Sequence, residues 1–372
     1  MRRTVVIAAL AFGTAALLGA TSASGSPGAT CFGKAATVQG AGTVVGTARN
    51  DVIVGSSGND TIDGQGGNDL ICGLDGNDFL TGGLGNDQID AGPGEDDVIG
   101  DVFAPTGDAA GGGNDQLFGG DDGDLLIGDS YAADGNATGG GDDRIFGGNG
   151  DDPHINGDSA AFGGNATGGG DDYIEGGPGD EGIVGDSAAV DVGLGTGAGD
   201  DVILGGPGFE FIGGDSEGVV GAHGSGGDDY IDMGIGDGIA LGDHNINFPA
   251  EEGGGPATGA GNDTIIGADD SAFELLVGDS SVGDDSITAA GNDHIVGNGG
   301  GDFIFGDNVD FSASFTVGTA NGNDKLEGGA GDDFISAGPG NDQLDGGADT
   351  DFCDGEAGND NFKACESVAG AP

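Results

Sequence analysis

From Gly46 onward a large apolar residue returns at every ninth position: Ile53, Ile62, Ile71, Leu80, Ile89 and Val98, with no drift in phase. An aspartate stands two places before each, at Asp51, Asp60, Asp69, Asp78, Asp87 and Asp96. The same phase returns near the end at Ile335, Leu344, Cys353 and Phe362, behind Asp333, Asp342, Asp351 and Asp360. A spacing of nine matches neither a helical face nor strand alternation, so it marks a repeated unit. Each unit, as in GSSGNDTID or GGLGNDQID, ends in three residues that suit a short strand with its central side chain inward. So short a strand has no stability alone and must stack on others like it.

Between Gly100 and Gly306 the spacing changes. The pair Gly-Asp recurs at Asp101, Asp129, Asp158, Asp186, Asp215, Asp243, Asp279 and Asp307, mostly about 28 residues apart, with one longer step before Gly278. That length equals two nonapeptides plus about ten residues, so an insert falls at one place in every turn and all inserts should line one edge. The turns after the inserts lead into Asp115, Asp143, Asp172, Asp201, Asp229, Asp263, Asp293 and Asp324. The opposite turns lead into Asp124, Asp152, Glu181, Glu210, Gly238, Glu274 and Asp302, and depart from the pattern in GGPGFEFIG and MGIGDGIAL. A complete column of carboxylates is expected on the insert edge and a gapped one opposite. His154 is placed by the spacing at an apolar anchor.

Glycines at the first, second and fourth places permit tight turns and close backbone approach. Asn or Asp before the aspartate tolerates left-handed geometry. The aspartate itself offers the hard oxygen that Ca²⁺ requires. The lines match the pattern G-G-x-G-x-D-x-U-x, in which U is a large apolar residue. On these residues the chain resembles the RTX (repeat-in-toxin, haemolysin-type) calcium-binding repeat family from about Gly46 to Lys363. The resemblance implies an all-β fold: a right-handed parallel β-roll, or β-solenoid, with two nonapeptides per turn and several Ca²⁺ ions held between successive turns on each edge. The expected metal ligands are the aspartates of the regular repeats, of the Gly-Asp pairs and of the turns on both edges named above.

Composition changes this picture in one respect. The chain of 372 residues has 91 glycines, 66 acidic and 7 basic residues, and a net charge of −59. Such a balance ordinarily means disorder, but the fixed spacing of apolar residues argues for a folded array whose natural partner is a cation. Nucleic acid is excluded, since a polyanion gains nothing on phosphates. Residues 1–25 read as a secretory signal peptide: two arginines, an apolar run from Val5 to about Leu18 that is short of a membrane span, then small residues. The reading continues with an N-terminal cap over 26–45, regular repeats over 46–99, insert-bearing modules over 100–318, regular repeats over 319–363 and a tail over 364–372. Four cysteines suit an oxidising compartment, and pairing within each end, Cys31 with Cys72 and Cys353 with Cys365, would clip the terminal repeats.

No enzyme is expected. The histidines lack metalloprotease spacing, no complete P-loop occurs, and no serine is expected in a nucleophile elbow. The expectation is a monomeric, secreted, extracellular calcium-binding protein with a structural or adhesive role. The alternative is a surface binder, an adhesin or an ice-binding-like module, using the inserts to meet an extracellular partner. Thr138, Thr167, Thr258 and Thr319 form a rank near the insert ends, broken at Gly112 and Gly226. Apolar residues after each Gly-Asp pair (Phe103, Tyr131, Phe162, Val190, Val220, Phe248, Val282, Phe311) are read as a strip that packs the loops, and the sequons at Asn136 and Asn165 as incidental.

Overall fold

The computed structural model describes residues 28–246, 257–269, 273–282, 289–310 and 320–370. The signal-peptide reading, Phe248, Phe311 and Thr319 lie outside them. Among the described residues, two long parallel sheets of 14 strands each run side by side. Sheet I begins with Thr43–Val45 and ends with Ser367–Ala369; sheet II begins with Val38–Gln39 and ends with Asn361–Lys363. Strands alternate between the sheets, so each coil contributes one strand to each. In the regular repeats Ile53 pairs with Ile71, and in the insert-bearing coils Leu117 pairs with Ile145. This is a parallel β-roll with two nonapeptides per coil. No helix among the described residues is long and apolar enough to cross a membrane.

In the two long sheets the inward residues build one continuous core from Val44 to Cys353. Ile53, Ile62, Ile71, Leu80, Ile89 and Val98 are fully buried, and the column continues through Leu126, Ile145, Ile174 and Ile212 to Ile335 and Leu344. Only glycine fits where consecutive coils touch: a Cβ on Gly141 would lie 1.5 Å from the Gly113 carbonyl oxygen, and one on Gly128 1.6 Å from that of Gly157. The disulfides Cys31–Cys72 and Cys353–Cys365 hold the two ends, as the cysteine positions suggested.

The inserts are more ordered than side loops. Their first strands, from Phe103–Ala104 and Tyr131–Ala132 to Asn245–Ile246, form a six-stranded parallel sheet. A second six-stranded sheet runs from Ala109–Ala110 through Ala137–Thr138 to Ala257–Thr258. Between them lies a core of alanines: Ala109, Ala132, Ala137, Ala161, Ala166 and Ala189. The small side chain lets two narrow sheets approach closely, and the coil repeat supplies their register. The insert stack folds back over the outer face of sheet I, burying Ile99 and Ile127 beneath Phe103, Tyr131 and Phe162.

Four expectations change here. Ile155, not His154, is the inward residue of its strand, pairing with Leu126, because Pro153 adds one residue after Asp152. The apolar strip does not keep register: Tyr131 pairs with Ala160, so Phe162 is displaced by two places, though its ring centroid still lies 5.8 Å from that of Tyr131. Val190 is half-buried, Val282 buried and Val220 44 % exposed. The threonine rank gains Thr196, and its breaks fall at Ala110 and His223, because those residues share the register of Thr138, Thr167 and Thr258. The sequon asparagines have a structural part: Asn136 accepts from the Asn165 backbone N–H at 3.0 Å, and Asn165 from that of Leu194 at 3.0 Å.

Removing a central anchor opens a cavity that flanking coils cannot close. Ile145→Ala is expected to lower unfolding stability by about 2–5 kcal/mol, and the exposed Thr138→Ala by less than about 0.5 kcal/mol. Urea denaturation of the two variants checks the contrast.

Candidate metal centres

On the insert edge, the turns entering sheet II align their aspartates into one ladder. The backbone N–H of each donates to the Oδ1 of the aspartate one coil later, without interruption from Asp51 to Asp360, at 2.6 to 3.2 Å. The geometry arises because each aspartate lies at the last turn residue before a strand, where the coil repeat brings the next carboxylate beneath its amide. The other oxygen points into the edge. From Asp69 through Asp115, Asp143 and Asp172 to Asp342 and Asp360, the buried Oδ2 atoms meet no hydrogen-bond donor. Asp51 differs, since Thr37 and Thr47 donate to its two oxygens.

The Gly-Asp aspartates enter the same edge from the insert side and are all buried. Asp101, Asp115 and Asp129 bring carboxylate oxygens within 4.8 Å of one another, as do Asp129, Asp143 and Asp158, and Asp158, Asp172 and Asp186. The two series thus interdigitate, Asp129 and Asp158 each facing ladder carboxylates of two coils. Asp215, Asp243, Asp279 and Asp307 continue the arrangement with N–H bonds from Gly227, Gly261, Gly291 and Gly322.

The short edge, where turns enter sheet I, repeats the ladder in two pieces. Asp60, Asp78, Asp96, Asp124 and Asp152 form one run. Glu274, Asp302, Asp333, Asp351 and Glu366 form another. Between them stand Glu181 and Glu210, whose four carboxylate oxygens are buried without donors, and Gly238. Asp60 is again a terminal exception, with Ser56 donating through N–H and hydroxyl.

Burial without a counter-ion raises the pKa of most carboxylates along both edges. Asp115 is pushed up to about 9, chiefly by burial and then by Asp101, Asp87 and Asp129; Asp101 and Asp124 reach about 8 and Asp87 about 7. Asp143, Asp158, Asp172, Asp201, Asp229, Asp263 and Asp293 lie well above the usual range for the same reason. The ion pairs that Lys325 and Lys363 make, with Glu327 and Asp345, lie outside the columns. Buried charge of this density demands a cation, and clustered hard oxygens without donors fit a divalent ion such as Ca²⁺.

Two features of the edge escaped the sequence reading. The residue after every Gly-Asp pair but the first forms a buried polar lane of Ser130, Ser159, Ser187, Ser216, His244, Ser280 and Asn308. Its serines donate to insert carbonyls such as Gly111 and Gly139, and the recurring letters GDS were the available signal. Gly214-Asp215-Ser216-Glu217-Gly218 also fits the letters of a nucleophile elbow. Ser216 is nevertheless buried in this lane, its hydroxyl donating to the Gly197 carbonyl. Its backbone N–H donates to Nδ1 of His244, whose pKa burial lowers to about 4.

The sign of the pH response follows. A folded carboxylate held above its unfolded value near 3.9 favours the fold below that value and loses the contribution as pH rises through its folded pKa. Without metal, the roll is therefore expected to hold near pH 4–5 and to be lost between about pH 6 and 9. Circular dichroism in chelator across that range checks this; more β signal at the alkaline end would refute it.

The RTX calcium-binding nonapeptide repeat (4 copies) matches residues 45–80, 73–104, 109–130, 137–152, 196–212, 257–271, 281–310, 319–353 and 328–362, together more than half of the chain. No curated protein sequence matches it significantly. The ladders, their bare carboxylate oxygens and these matches agree: the chain belongs to the family of RTX calcium-binding nonapeptide repeat proteins.

Proposed function

We propose that this is a secreted protein that folds on binding Ca²⁺ into a rigid extracellular roll with a structural or adhesive role. The observation that carries the reading is the row of buried Oδ2 atoms that no protein donor meets. The groups that would hold the ions are the aspartates of the insert-edge ladder from Asp69 to Asp360, the Gly-Asp series from Asp101 to Asp307, and Asp78, Asp96, Asp124, Asp152, Asp302, Asp333 and Asp351 opposite. When bound, calcium supplies the positive charge that lets these carboxylates stack. Sites of about 10⁻⁴–10⁻³ M fill outside a cell and stay empty in a cytosol. Metal binding is then folding free energy, and a chain exported unfolded becomes rigid on arrival. Both disulfides suit that compartment. The roll acts as a monomer, and we assign it no catalytic activity.

A second reading is favoured by the outer face of the insert stack. Thr138, Thr167, Thr196 and Thr258 stand in one rank there, with Thr196 Oγ1 3.0 Å from Thr167 Oγ1. Such a rank suits an extended ligand surface, including ice, and freezing hysteresis measured at saturating calcium separates the two readings.

The main reading predicts that small-angle scattering shows an expanded chain in chelator and a compact rod in millimolar Ca²⁺. Asp143→Asn should raise the calcium concentration at half-folding, whereas Asp142→Asn, exposed beside it, should not. Identical scattering with and without calcium would overturn the reading.

A further inference from the structure

The short edge contains one coil in which two residues have exchanged roles. Where this edge carries an aspartate, the residue five places earlier is usually glycine, and the carboxylate lies against it. A Cβ on Gly119 would stand 2.4 Å from Asp124 Oδ2, one on Gly147 2.4 Å from Asp152 Oδ2, and one on Gly328 2.2 Å from Asp333 Oδ2. In the coil between Glu210 and Glu274, Met233 holds the glycine's place and Gly238 the aspartate's. The register is unambiguous: Asp232 and Gly234 pair with Leu204 and Gly206, while Gly238 pairs with Glu210 on one side and Glu274 on the other.

Met233 is 1 % exposed and belongs to the continuous apolar core. Its side chain extends into the volume a carboxylate would need, since a Cβ on Gly238 would lie 2.3 Å from Met233 Cε. Bulk at this place is not by itself incompatible with the ladder: Ala91 stands there in the coil of Asp96, whose N–H still joins the run. The full thioether and the aspartate are what exclude one another. A thioether is a soft donor that does not suit a hard divalent ion, and a coil without a carboxylate has no buried charge to compensate.

We infer that Met233 and Gly238 form an apolar plug in place of a cation position, dividing the short edge into two separate metal columns while the insert-edge column runs through. This rests on the calcium reading above. The first column ends at the Glu181–Glu210 pair and the second begins at Glu274. In this coil the side of the roll is closed by packing alone, so its short edge needs no ion to fold.

Two measurements test the plug. In crystals of the wild-type chain grown with calcium, anomalous maps should show ions beside Asp124 and Asp152, and at Asp243 on the insert edge of the same coil, but none beside Met233. In solution, the double substitution Met233→Gly with Gly238→Asp should bind more calcium per chain than wild type by native mass spectrometry. Met233→Gly alone should bind the same number and melt at a lower temperature. An ion beside Met233 in the wild-type map overturns the plug, as does a double variant that folds with calcium yet gains none. Absence of ions from every coil would instead remove the calcium reading itself.

Discussion

One carboxylate does two opposed things in this molecule. Its Oδ1 accepts the amide of the preceding coil, a charge-assisted bond worth about 1.5–3 kcal/mol. Its Oδ2 is buried without a donor, and an uncompensated buried charge costs several kcal/mol. Without a cation the second effect outweighs the first in nearly every insert-bearing coil, since Asp115, Asp143 and Asp172 also face carboxylates of the Gly-Asp series. With a cation both oxygens are satisfied and the ladder becomes the staple of the edge. The isoleucine and leucine core supplies cohesion in either case, but it cannot close the turns around unpaired charge.

The two edges distribute this burden differently. The insert edge adds an aspartate to each insert-bearing coil, so its buried carboxylates also crowd one another, as Asp129, Asp143 and Asp158 do. The short edge relaxes the requirement in its middle, first by glutamate and then by a coil with no carboxylate in the ladder. Both edges end at the N-terminus on aspartates served by hydroxyl and amide donors, Asp51 from Thr37 and Thr47 and Asp60 from Ser56. At the N-terminal start of each ladder, protein donors thereby meet the carboxylate oxygens that lack a partner farther along.

Much of this was legible in the chain because large apolar residues and aspartates keep a fixed phase, and a stacked strand needs both. The main sheets and the inward anchors followed from that phase, and the two cysteine pairs from their positions near the ends. The insert stack did not, since a strand of two residues carries no period and alanine is not counted among large anchors. His154 was misplaced because one added residue, Pro153, shifts a strand relative to its aspartate without disturbing the aspartates themselves. The threonine rank was misread for a related reason: its register is set by Ala137, Ala166 and Ala222 beside it, not by distance from the glycines. Ser216 and Met233 required coordinates, because their meaning lies in which atoms fill a space.

The positions of the disulfides bear on how the rod would carry load. Backbone hydrogen bonds between coils point along its axis, so traction on the ends peels coils one at a time instead of shearing them together. Traction applied ahead of Cys31 passes through its sulfur to Cys72, bypassing the strands Val38–Gln39, Thr43–Val45, Val52–Val54 and Thr61–Asp63. At the opposite end, once Ser367–Ala369 has peeled, traction passes from Cys365 to Cys353 and spares Asn361–Lys363. Each crosslink moves the point of attachment inward, so peeling that begins at a tip is halted there and the coils inside the crosslink are spared.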